Sequence, residues 1–181
     1  SMPYSNTHGE KRARNAVAPC YNYRETLREE AMKRGLTKQS HHADVCVVGA
    51  GMAGICAAIA AARHGATVVL VHDRPVPGGA SSSESRMHVC GADRHNSIPN
   101  LRETGILEEL RLENLRKNPF RNHSVWDTVL YDALVTQQGL SLHLNAACMD
   151  AAVARDGSRI ERISCLQPTT QTVLDIAAGI F

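Results

Sequence analysis

Asp44-Val45-Cys46-Val47-Val48-Gly49-Ala50-Gly51-Met52-Ala53-Gly54 decides the fold of this chain. After its first residue the run to Val48 is apolar without interruption, as a strand buried on both faces of a parallel sheet must be. Gly49 to Gly54 then turns the chain in a G-x-G-x-x-G string. Ile55 to His64 is Ala-rich and helical, and Gly65 stands where a left-handed C-cap is wanted. Thr67 to Val71 reads as a second buried strand, with Asp73 lying 19 positions beyond Gly54. The whole is a βαβ unit in about thirty residues, the length that a right-handed crossover needs.

A glycine string alone says little; a strand before it, a helix after it and an acid at the end of the next strand make it a dinucleotide fingerprint. Gly49 permits the tight turn, Gly51 lets backbone approach a pyrophosphate, and Gly54 lets helix and strand pack closely. The unpaired amides and the positive dipole end of the helix favour an anion there. Gly49, Ala50, Gly51, Met52, Ala53 and Gly54 are therefore expected to hold the cofactor. The usual ribose-binding position, counted from Gly65, is His72, with Asp73 next. A strand alternates sides, so both cannot face one ribose unless the strand has ended. His72 or Asp73 is expected to take the ribose hydroxyls, with Arg74 near the adenosine edge.

The loop Pro77-Gly78-Gly79-Ala80-Ser81-Ser82-Ser83-Glu84 points to FAD rather than NAD. A plain NAD unit needs no second glycine-and-hydroxyl loop after its second strand, whereas FAD is long enough to run past one. Gly78, Gly79 and Ala80 are expected to bring backbone close, and Ser81 and Ser82 to donate to phosphate or ribityl oxygens.

Composition agrees with an α/β domain. The 181 residues are 43% hydrophobic, 21% charged and only 4% aromatic. An apolar stock of Ala, Val, Leu and Ile suits a parallel sheet with tightly packed helices. The net charge of +2 is concentrated before residue 44, without a long basic run or interleaved aromatics, so no nucleic-acid partner is expected. No stretch approaches the roughly 20 apolar residues of a membrane span, so no membrane partner is expected either. Six scattered cysteines with no C-x-x-C pair read as small buried hydrophobes in a reducing, cytoplasmic compartment. The nine histidines show no metal-ligand spacing, and no metal is expected.

Outward from the fingerprint, residues 1–43 read as an extension: a helix from Tyr23 to Arg34 and a polar linker at 37–43. Residues 44–181 read as the dinucleotide-binding domain. A short strand is expected at Arg86 to Cys90, a loop with His95 and Asn96 at 91–100, helices at Glu103 to Lys117 and Ser124 to Gln138, and strands from Leu140, Ala151, Arg159 and Val173. Asp156-Gly157 is a hairpin signal. The expected class is α/β: a Rossmann-like FAD-binding βαβ with a central parallel sheet, helices on both faces and a small antiparallel β meander near the C-terminus.

Asp73-Arg74-Pro75-Val76-Pro77-Gly78-Gly79-Ala80-Ser81-Ser82-Ser83-Glu84, then Arg86, resembles the D-R-P-x-x-G-G-x-x-S-S-E loop of the FAD-dependent oxidoreductase family. Pro99 to Gly105, Glu113-Asn114-Leu115, Trp126-Asp127 and Thr169 to Thr172 resemble it too. The resemblance implies FAD as cofactor and backbone groups near Ala147-Cys148-Met149 at the adenine edge. In relatives the last strand runs into an Asp-x-(Ser/Thr)-Gly-Asp segment, and this sequence stops at Phe181, just before the position where that segment is expected. The chain thus reads as a fragment or one piece of a split oxidoreductase, inactive alone, with its small-molecule substrate bound by the absent C-terminal region and an oligomer or partner chain open to it; the alternative is a non-catalytic dinucleotide-binding module, remnant or subunit without its substrate domain. Glu84, Arg86, His88, His95 and Arg102 are the polar groups expected near a flavin, and none is assigned a catalytic role.

Overall fold

The βαβ unit lies where the fingerprint puts it. The computed structural model describes residues 35–89 and 101–181, which all fall in the unit Gly35–Phe181. The expected Tyr23 to Arg34 helix and the 91–100 loop lie outside the described residues. The elements are β1 (Thr37–Val48), α1 (Met52–Arg63), β2 (Val68–Val71), α2 (Ile106–Lys117), α3 (His123–Val135), β3 (Leu140–His143), β4 (Ala147–Val153), β5 (Ile160–Gln167) and β6 (Thr172–Ile180). They form one six-stranded sheet in the order β3-β2-β1-β6-β5-β4. The β3-β2-β1-β6 pairings are parallel, and β4-β5-β6 is an antiparallel meander.

Strand parity sorts the core into two layers. Val45, Val47, Val68, Leu70, Leu140 and Leu142 face α1, α2 and α3, packing with Ile55, Ala58, Ile59, Leu110, Trp126, Leu130 and Leu134. Small alanines on α1 let it sit low on the sheet, and each fully buried Ile or Leu contributes about 1.5–3 kcal/mol. Cys46, Val69 and Val71 point the other way and cluster with Ala146, Ile163, Cys165, Leu174 and Ile176. Among the described residues, then, helices cover one face only. The second face, where a helix was also expected, is covered by the meander.

The sheet folds over itself to achieve this. His41 precedes Val48 by seven residues, and Val48 is aligned through Val71 with His143. A flat sheet would separate His41 from His143 by about 23 Å at about 3.3 Å per residue. Their rings nevertheless meet edge to face with centroids 4.8 Å apart. The change of partner falls at Asp44, whose carboxylate accepts from the Thr67 amide and hydroxyl, both at 2.7 Å. Before it β1 pairs with β6 only; from Val45 it pairs with β2 as well, Val45 standing between Val68 and Ile180.

Three local expectations are corrected. Residues 37–43 are the first half of β1, not a linker: their polar side chains hide a strand that is held by backbone pairing with Thr172 to Ala178. Arg86 to Val89 forms no strand; Met87 N–H donates back to the Ala80 carbonyl and folds the segment onto its own loop. β4 starts at Ala147, earlier than Ala151, with a register break between Cys148 and Asp150. Asp156-Gly157 turns as expected, Gly157 at φ +73° and Asp156 Oδ1 accepting from the Ser158 amide and hydroxyl.

Candidate functional site

Two glycine loops meet here backbone to backbone. Gly49 leaves β1 at φ +110°, a conformation that a side chain would strain. Gly54 sits against that turn so closely that a Cβ on it would lie 1.9 Å from the Gly49 carbonyl oxygen. At Gly51 the opposite holds: among the described residues nothing lies within 4 Å of the position a Cβ would take. That open space is beside the start of α1, whose first turn has no acidic residue and no side-chain cap. The first amides of a helix have no partner within it. Ala50 is fully buried, Met52 packs half-buried against the helix layer, and Ala53 is exposed.

The second loop is bolted to the first. Gly78 N–H donates to the Ala50 carbonyl at 2.8 Å, and Gly51 bridges Gly78. A Cβ on Gly79 would come within 3.1 Å of the Gly51 Cα and would stand at φ +57°, so glycine suits this approach and a side chain strains it. The serine hydroxyls turn inward. Ser81 Oγ donates to the Gly78 carbonyl at 2.9 Å and Ser82 Oγ to the Gly79 carbonyl at 2.7 Å, and both residues are buried. Each hydroxyl has one proton, and the nearest acceptor, three residues back in a tight turn, takes it. The loop's donor capacity toward a ligand therefore lies in its backbone, with Ala80 exposed.

Two residues that sequence reading did not place at the site hold this loop from outside. Trp126 Nε1–H donates to Ser81 Oγ at 3.1 Å, and the buried Asp127 carboxylate accepts from Ser83 N–H at 2.9 and 3.2 Å. The available signal was an acid beside Trp126 on the apolar face of a helix, where a carboxylate stays only if something donates to it.

At the end of β2, burial separates the two ribose candidates. His72 is 7% exposed, and its Nδ1 accepts from Ala50 N–H at 3.2 Å. Burial lowers its pKa, against the nearby Asp73 and Glu84 carboxylates that raise it, so the ring is neutral. Nδ1 also lies 3.5 Å from Asp73 Oδ1, but a nitrogen that accepts from an amide has no proton to give. The ring proton is then on Nε2, a buried atom with no hydrogen-bond partner among the described residues. Asp73 points outward, its side chain 64% exposed. Arg74 is held by Glu84 in a two-pronged pair at 2.9 and 2.7 Å, which closes the loop and lowers the Glu84 pKa.

The segment before β4 joins the same edge. Ala146 N–H donates to the His72 carbonyl at 2.8 Å and Asn145 N–H to the Arg74 carbonyl at 3.1 Å, which brings Cys148 near with its side chain exposed. Of the polar groups expected near a flavin, Glu84 is taken by Arg74 and Arg102 by Glu108, Arg86 and His88 are exposed, and His95 is outside the described residues. A cavity of ≈ 410 Å³ at the C-terminal end of α1, lined by Ile59, Arg63, Glu109 and Leu110 among others, lies away from the glycine loops and takes no part in the site.

A family model described as FAD dependent oxidoreductase matches residues 44–181. The chain is similar to sarcosine oxidase subunit alpha of Corynebacterium sp. (strain U-96), 48% identical over 52 residues that make up 29% of this chain and 5% of that subunit. Among solved structures it is similar in fold to the open conformation of a flavocytochrome c3 fumarate reductase, with a TM-score of 0.50 and 18% identity over 85% of this chain and 35% of that one. The E. coli quinol fumarate reductase FrdA E245Q variant gives a TM-score of 0.50 and 15% identity over 78% of this chain and 32% of that one. The chain thus spans about a third of each of these two structures and a small part of the curated relative.

Proposed function

Because the chain belongs to the FAD dependent oxidoreductase family, we propose that the two joined glycine loops seat FAD as part of a flavin-dependent oxidoreductase. FAD is its cofactor. The observation that carries the placement is the open space at Gly51 beside the uncapped first turn of α1. Amides of Met52, Ala53 and Gly54 take the pyrophosphate there, as helix starts do. Asp73, exposed where His72 is turned inward, takes the ribose hydroxyls. His72 positions the Ala50 amide. Backbone at Gly79 and Ala80 borders the path toward the flavin, with Ser81 and Ser82 shaping the loop from within, and backbone at Ala147 to Met149 meets the adenine edge.

When bound, FAD supplies two-electron redox chemistry, and this chain's residues hold and orient it. The small-molecule substrate belongs outside the described residues, a reading supported by the chain's spanning about a third of the two flavoenzyme structures. A partner chain is supported by the curated relative's being a subunit. No helix among the described residues is long and apolar enough to cross a membrane. The scattered cysteines support a cytoplasmic setting.

Titrating the purified chain with FAD and, separately, with NAD tests this. FAD binding with a perturbed flavin spectrum is expected. Binding of NAD without FAD overturns the reading.

A further inference from the structure

We propose that Cys148 and Cys165 are a redox modification site, forming a reversible disulfide when hydrogen peroxide reaches Cys148. The inference goes beyond FAD binding and does not depend on it. Its basis is the meander: Cys148 on β4 is the register partner of Cys165 on β5, in an antiparallel pair. Directly opposed residues of such a pair point to the same face with Cα atoms about 4.5–5.5 Å apart. A disulfide needs about 4.4–6.8 Å, so the bond can form with little backbone movement. The register breaks just after Cys148, before Asp150, and leaves the strand slack where the bond would adjust it.

Exposure divides the roles. Cys148 is exposed and Cys165 is 1% exposed, so an oxidant dissolved in water meets Cys148 first. Burial, with Cys148 and Cys46 adding to it, pushes the Cys165 thiol up to about 12, so it waits protonated beside its partner. The Cys148 sulfur attacks peroxide, the O–O bond breaks, and a sulfenic acid and one water result. The Cys165 sulfur then attacks the Cys148 sulfur. An S–S bond forms, the S–O bond breaks, and the hydroxide leaves as water with the Cys165 proton. Two thiols are oxidised to a disulfide and one peroxide is reduced to two waters. Spacing along the chain could not show this pair, because only the hairpin brings the two cysteines opposite each other.

The test uses the full 181-residue chain, reduced, desalted, treated with hydrogen peroxide, alkylated with N-ethylmaleimide and digested without reductant. A Cys148 peptide joined to the Cys165 peptide, lighter by two hydrogens and separated by dithiothreitol, is expected. In Cys148→Ser, a substitution at an exposed position, the link is absent and Cys165 takes the maleimide after denaturation. Three results overturn the proposal: both cysteines alkylated after peroxide, Cys148 carried on to sulfinic acid, or Cys148 joined to the neighbouring Cys46.

Discussion

His72 Nδ1 accepts the Ala50 N–H at 3.2 Å and ties the end of β2 to the middle of the fingerprint turn. Both residues are buried, so removing the acceptor leaves a buried amide without a partner, which costs about 1–3 kcal/mol. His72→Ala is expected to lower the melting temperature by several degrees and to weaken FAD about tenfold, since the displaced turn carries the proposed pyrophosphate site. His72→Asn places an amide oxygen near the Nδ1 position and is expected to recover most of both losses. Thermal melts with FAD fluorescence titration decide it. If alanine and asparagine behave alike, the ring is only a space filler.

Asp73 stands next to His72 but faces water, and its substitution is expected to separate binding from stability. Asp73→Asn keeps the shape and loses the charge that favours two ribose hydroxyl donors. FAD affinity should fall about three- to tenfold, in line with a charge-assisted hydrogen bond of about 1.5–3 kcal/mol in part retained by the amide oxygen. The melting temperature of the FAD-free chain should not move. Unchanged affinity in a titration would remove Asp73 from the site.

Gly51 and Gly54 offer opposite outcomes from the same kind of change. A Cβ at Gly51 meets nothing within 4 Å among the described residues, and its φ of −70° suits any residue. Gly51→Val should therefore fold and melt near wild type while losing FAD by at least about a hundredfold, because the side chain fills the space proposed for the pyrophosphate. Gly54→Ala places a Cβ 1.9 Å from a backbone oxygen and should fail to accumulate as folded protein. Circular dichroism melts and flavin content read both. A Gly51→Val chain that still binds FAD would show that the cofactor passes elsewhere.

The βαβ unit was legible because its signals are local: an unbroken apolar run, three spaced glycines, an alanine-rich helix. Residues 37–43 were not, because strand pairing with Thr172 to Ala178 is a long-range backbone property that polar side chains do not advertise. The meander itself was expected from the sequence; the same reason hid its place over the second face. At the site, sequence singled out the two glycine loops that the fold joins, but not which of their atoms face outward. Ser81 and Ser82 are donors by type, yet their protons go to carbonyls three residues back. His72 and Asp73 were indistinguishable until burial turned one in and left the other out.

Asp127 is expected to govern the second loop from α3. Its carboxylate takes the Ser83 amide while its neighbour Trp126 donates to Ser81. Asp127→Ala removes a buried charged acceptor and is expected to cost about 1.5–3 kcal/mol of stability and to weaken FAD severalfold by loosening Gly78 to Ser83. Asp127→Asn retains an oxygen acceptor and should lose less. Hydrogen exchange at the Ser83 amide gives a local check: it should quicken in the alanine variant well before global unfolding.

Acid should destabilise the chain in the histidine range, before the carboxylates titrate. Burial lowers the pKa of both His72 and His143, the latter with help from the His41 ring it touches. Unfolded, each regains a pKa of about 6.5. Between that value and the lower folded one, the unfolded chain binds protons that the native chain refuses. Stability is then full above about pH 6.5 and falls as pH drops below it. Around His72, Asp73 and Glu84 oppose this shift and Arg74 supports it, but burial outweighs the carboxylates. Melting temperatures should decline by a few degrees from pH 7 toward pH 5.5, and His143→Gln should flatten part of that slope. A curve level from pH 7 to 5 that falls only below about 4.5 would assign the loss to carboxylates such as Glu84 and Asp44, whose folded pKa values are lowered by Arg74 and Thr67.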